Sequence, residues 1–185
     1  MRHTGALRRV FAATFPPRPT MSQDNPFLHA PPAPAVPALN THTTTEYAID
    51  LPASWRLVPS DDGNAVTFQS DADRAGLFIT VDFYEIPADK AQATADRLIN
   101  SRLDRHAQEA PGRVQLFDGA SRTHWQGSGH EAHCAVEIAN ENVVMDAVYV
   151  MSRRVLNLTL VCRRDRASAL ALFGAVRAHF RPVLA

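Results

Sequence analysis

Between Tyr47 and Cys162 the apolar residues fall mainly at every second position. Tyr47, Ile49 and Leu51 alternate and stop at Pro52, and Val66 and Phe68 form a shorter run. Leu77, Ile79, Val81 and Phe83 alternate with Phe78, Thr80, Asp82 and Tyr84, and Pro87 ends them. Successive side chains of a strand point to opposite faces, so a period of two marks a strand with one buried face. The same reading gives strands at 113–118, 121–126, 130–139, 143–151 and 154–162. Asp118-Gly119, Gly127-Ser128-Gly129 and Asn140-Glu141-Asn142 read as hairpin turns between them, and Ser60-Asp61-Asp62-Gly63-Asn64 as an earlier turn.

Two segments break the period. Over 88–109, Ala91, Ala95, Leu98, Ile99 and Leu103 make a helical stripe, with Asp89 expected to cap it and Pro111-Gly112 to end it. From about Asp165 to Phe180, Leu170, Phe173 and Val176 join Ala169 on one face, and Pro182 stops the helix. Runs of strands with separated helices mean α+β, a central antiparallel sheet with helices packed on it, rather than a wound parallel sheet.

Composition bounds the function. Of 185 residues, 45% are hydrophobic and 21% charged, which suits an ordinary globular domain. The zero net charge excludes a generally basic nucleic-acid binder. It is the sum of +4 over residues 1–20 and −4 over 21–185. Eight of the 13 prolines lie between Pro16 and Pro37, an extended spacer by composition. Residues 1–44 therefore read as a disordered tail, and 45–183 as one domain. Met21-Ser22-Gln23-Asp24 reads as a natural start, which makes residues 1–20 an over-extended reading frame and the protein cytoplasmic. The alternative is a processed leader and a periplasmic protein. No apolar run approaches the roughly 20 residues of a membrane helix. Cys134 and Cys162 lie in alternating apolar runs and read as buried free thiols, the alternative being a disulfide between neighbouring strands.

No stretch carries a specific catalytic motif. His130-Glu131-Ala132-His133-Cys134 has the wrong spacing for a helical zinc motif, and on a strand His130 and His133 diverge. Gly127-Ser128-Gly129 precedes a strand, whereas a dinucleotide loop opens a helix. Asp82, Glu137 and Asp146 sit on strands among apolar neighbours, where such residues face solvent or pair with arginine. Arg163-Arg164-Asp165-Arg166 and Arg153-Arg154 are the basic clusters of the domain, and solvated turns explain them. One surface stands out. Thr80, Asp82 and Tyr84 on one strand, with Asn157 and Thr159 on another, form a polar-aromatic platform wherever no helix covers them. Such a platform suits a peptide or helix better than a metabolite.

The stretch Tyr47-Ala48-Ile49-Asp50-Leu51-Pro52-Ala53-Ser54-Trp55 resembles the opening strand of the DcrB-like, PsbP-like bacterial domains. The later strand Leu77-Phe78-Ile79-Thr80-Val81, the helix at 88–109, the hairpins and the closing helix follow the same order, over about residues 45–183. The resemblance implies an αβα sandwich, with an antiparallel sheet of six to eight strands flanked by two main helices. It also implies a non-enzymatic protein with no cofactor, no metal and no catalytic residues. Some members of that group resemble chaperones or adaptors of type VI secretion effectors. Others are envelope lipoproteins, from which this chain departs in having no lipid-accepting cysteine near its start. The expected function is an adaptor or chaperone that binds a protein partner, a secreted effector or toxin, through the sheet. The alternatives are an immunity protein, an envelope structural protein, and a hydrolase or metal enzyme using His124, His130, His133 and Asp82.

Overall fold

In the computed structural model, residues 38–59, 65–124, 129–139 and 142–183 are described. All lie within the unit Pro37–Ala185. The strands are β1 (Leu39–Thr43), β2 (Tyr47–Pro52), β3 (Arg56–Val58), β4 (Ala65–Ser70) and β5 (Ala75–Phe83), followed by β6 (Val114–Thr123), β7 (His130–Ile138), β8 (Asn142–Val150), β9 (Arg154–Cys162) and β10 (Phe180–Pro182). Helix α1 spans Ala91–Glu109 and α2 spans Arg166–Ala178. Seven strands form one antiparallel sheet in the order β3-β4-β5-β9-β8-β7-β6, and β1-β2-β10 form a small second sheet.

The alternation assigns each face. Leu77, Ile79, Leu156, Leu158, Leu160 and Met145 point to one side of the large sheet. There they meet Ala169, Phe173 and Val176 of α2 and Tyr47, Ile49 and Leu51 of β2 in one buried cluster. Trp55 joins it, and its indole N–H donates to Asp73 Oδ2 at 3.0 Å. On the other side, Ala132, Cys134, Val148, Val150 and Val155 meet Ala91, Ala95 and Ile99 of α1 in a smaller cluster. Helix α1 packs on β6, β7 and β8. The αβα layering expected from the resemblance is therefore present. No helix of the described residues is long and apolar enough to cross a membrane.

The structure revises several sequence assignments. Strand β1 lies in the stretch read as tail, because Leu39–Thr43 pair with Ala48–Pro52. Residues 113–118 and 121–126, read as two strands, are replaced by the single strand β6, which ends at Thr123; Trp125 and Gln126 lie outside the described residues. Asp118-Gly119 is not a hairpin turn; it follows a bulge between Leu116 and Asp118 and pairs with Ala135 and Cys134. A Cβ on Gly119 would lie 3.2 Å from the His133 carbonyl, so glycine serves close approach there. Asp89 does not cap α1: it lies in a short 3₁₀ turn, and Lys90 takes the cap position without a side-chain bond. By contrast, Asp165 accepts from the Ser168 N–H and caps α2. The end of the predicted last helix is β10, which pairs with β2. Gly129 needs its positive φ of 84°, and a Cβ there would fall 2.1 Å from the Val150 carbonyl oxygen. Ser60–Asn64, Gly127-Ser128 and Asn140-Glu141 lie outside the described residues.

Candidate partner-binding face

Helix α1 covers only the β6–β8 part of its face. Over β4 and β5 the same face stays open among the described residues. Even positions of β5 point there, and register places Asn157 opposite Thr80 and Thr159 opposite Phe78. Phe78 is 44% exposed and Tyr84, just past the strand, 58%. Tyr84 lines a cleft of about 400 Å³ with Leu98, Arg97 and Val155, between the end of β5 and α1.

The polar members of the platform bind one another. Asn157, 7% exposed, donates from Nδ2 to Thr80 Oγ1 (3.1 Å) and to Asp82 Oδ2 (2.9 Å). Its carbonyl oxygen accepts from Arg102 Nη2 at 2.7 Å. Arg102 Nη1 donates to Asp146 Oδ1 at 2.7 Å, and Thr159 donates to the same oxygen at 2.6 Å. His106 donates to Asp146 Oδ2 at 3.0 Å. Burial would raise the Asp146 carboxyl, but the His106 bond, the Arg102 charge and the Thr159 bond outweigh it and hold it below the usual range. Asp146 thus stays ionised, so the nearby His106 nitrogen must carry the proton.

The structure joins Thr80, Asp82, Asn157 and Thr159 of the predicted platform into this one network, and sets Tyr84 apart at its rim. Arg102, His106 and Asp146 were not expected there. Asp146 was marked as a strand carboxylate that would face solvent or pair with arginine; it pairs with Arg102, as Glu137 does with Arg166. The hint for Arg102 is only its position one turn beyond Leu98 on the apolar stripe.

A second polar cluster lies on the α2 side. Glu131 is 2% exposed and floors a cleft of about 360 Å³. Arg177 Nε donates to it at 3.0 Å and Arg122 Nη2 at 3.2 Å. Burial opposes its charge, and the Arg177 bond prevails to keep its pKa low. His133 lies in the same cleft, 3.3 Å from Asp118, and its pKa is lowered, first by burial and then by the Arg177 charge.

The histidines read as a possible enzyme set do not converge. His130 lies on the α1 side against Ser121, whereas His133 lies on the α2 side near Phe173. His124 stacks edge-on with Tyr149, also on the α2 side. Asp82 stands on β5, separated from β7 by β9 and β8. Among the described residues, no three of His, Cys, Asp and Glu gather as a metal site. Ser121 donates to Asp96 at 2.5 Å and so accepts from His130 at 2.8 Å. A serine nucleophile needs the reverse, its hydroxyl proton held by the histidine. Cys134 and Cys162 are free and buried in different clusters on opposite faces, which excludes the disulfide. Burial pushes the Cys134 thiol up to about 12.

No family model matches the chain, and no curated protein does. Solved structures do. Cyanobacterial PsbP (CyanoP) from Synechocystis sp. PCC 6803 aligns at 18% identity and TM-score 0.57, over 84% of this chain and 99% of its own. The Saccharomyces cerevisiae Ran-binding protein Mog1p aligns at 8% and 0.50, over 78% and 96%. A Mog1 E65A mutant aligns at 7% and 0.53, over 78% and 95%. These identities speak for architecture alone. With helices on both faces of an antiparallel sheet and alignment across nearly the whole of each of these proteins, the fold of this chain is PsbP-like.

Proposed function

We propose that this chain is a non-enzymatic, cytoplasmic adaptor or chaperone that holds a segment of another bacterial protein on the open face beside α1. The observation that carries this reading is the self-satisfied network under that face. Thr80, Asn157 and Thr159 are bonded to one another or to Arg102 and Asp146, and Asp82, exposed at the edge of the network, accepts from Asn157 at one oxygen. Phe78 and Tyr84 stay exposed beside Asp82, and aromatic residues are the usual anchors of protein interfaces. The groove between α1 and the end of β5 has the form that receives an amphipathic helix or an extended segment. The Mog1p likeness supports the reading, since that protein is named as Ran-binding. A secreted effector of a type VI system is the partner class in view, and the proline-rich run before the domain serves as a spacer.

The test is affinity capture from the native host with the wild-type chain and with Tyr84→Asp and Phe78→Asp. A stoichiometric partner that each change removes, with the fold unchanged by circular dichroism, supports the proposal. Loss of the partner on changing the Glu131 cleft, but not on changing Tyr84 or Phe78, overturns it.

A further inference from the structure

The two edges of the large sheet are unlike. Strand β3 has three residues and is followed by Pro59. Strand β6 has ten, and among the described residues nothing pairs outside it. A long open edge is a row of unpaired N–H and C=O groups, which proteins blunt with brevity, proline, charge or bulges. The bulge between Leu116 and Asp118 is the one backbone device on β6, and beyond it Asp118–Thr123 run regularly against β7.

We infer that two copies of this chain join through β6, antiparallel about Ala120. In that register Asp118 stands opposite Arg122 of the second copy, and Arg122 opposite its Asp118. Gly119 meets Ser121, and Ala120 meets Ala120. Moving the axis to Gly119 or Ser121 breaks both charge pairs. The small residues at the centre leave room for the backbones to approach. Asp118, Ala120 and Arg122 pair with Ala135, His133 and Glu131, so all three side chains share one face.

The charges inside one copy are unbalanced in a way that a second copy corrects. Glu131 already has Arg177 at one oxygen, so Arg122 brings a second cation to a single carboxylate. Among the described residues the ion-pair partner of Asp118 is His133, whose pKa burial lowers, which disfavours its charged form. The Arg122 and Asp118 side chains are 61% and 41% exposed, so both can reach across the edge. Pairing across the edge gives each surplus arginine the aspartate it lacks. The inference is independent of the open face, which lies at the other end of the sheet.

Sedimentation velocity on the full chain over the micromolar range is expected to show a dimer. Asp118→Arg and Arg122→Asp, each folded by circular dichroism, should each weaken it by about tenfold or more, since like charges then face each other twice. An equimolar mixture of the two variants should recover a heterodimer, because each introduced charge then meets its opposite. Ala120→Cys tests the register without touching charge. It should give a disulfide-linked dimer under mild oxidation, because the two side chains meet at the axis. A chain that stays monomeric at every concentration overturns the inference. So does a dimer indifferent to both charge changes, or an Ala120→Cys variant that does not cross-link.

Discussion

On the α2 side of the large sheet, β5, β8 and β9 bury leucine, isoleucine and methionine against α2 and β2 in one large, mainly apolar cluster. On the α1 side the apolar cluster is smaller and gives way to Asp146, Arg102, Asn157 and Asp82 before the face opens to solvent. The difference separates two uses of burial. The first face is finished by volume, and its register is fixed by which residues fit. The second is finished by polar partners, and that lets it end in the open without unsatisfied groups.

The comparison is broken most directly at its apolar extreme. Phe173→Ala, at a site 2% exposed, should cost about 3–5 kcal/mol by denaturant unfolding. A loss below about 1 kcal/mol would mean the closed face is not a packed core. The polar side should respond almost as strongly, for another reason. Asp146→Ala leaves Arg102 and Thr159 without their acceptor in a buried setting, at about 2–4 kcal/mol. It should also change the pH dependence. The folded pKa values of Asp146 and Glu131 are depressed, so their contribution is present above the ordinary carboxylate range, near pH 4, and is lost as pH falls below it. Removing Asp146 should flatten that acid limb, and an unchanged limb would show that its charge is not held by the fold. The smallest effect belongs to the open end. Phe78→Ser should move stability by no more than about 0.5 kcal/mol, and a larger loss would show that the face is covered.

How much of this was legible depended on length and on which element carried the signal. Long strands with one apolar face, such as Ala75–Phe83 and Arg154–Cys162, announced themselves through alternation. Strands of three residues, Arg56–Val58 and Phe180–Pro182, have no alternation to read. Leu39–Thr43 is almost wholly exposed and looks like polar linker. Asp118-Gly119 has the composition of a turn, and only pairing with β7 shows it to be strand. The platform was legible because Thr80, Asp82, Asn157 and Thr159 follow from strand parity alone. Arg102 and His106 were not, because parity says nothing about how a helix sits along a sheet. Asp89 was expected to cap its helix and does not, whereas Asp165, read only as the start of the last helix, has an N–H turned toward its carboxylate.

The closing of β2 by β10 has a consequence for synthesis. Pro182 pairs with Tyr47 and Phe180 with Ile49, so the small sheet joins the start of the domain to its last residues. Phe180, 1% exposed, lies against Tyr47 and Tyr149. While those residues are still inside the ribosomal tunnel, β2 has emerged with one edge unfilled. The domain therefore completes only once Phe180–Pro182 have left the tunnel, and a chain broken before Phe180 leaves Tyr47 and Tyr149 without their aromatic neighbour.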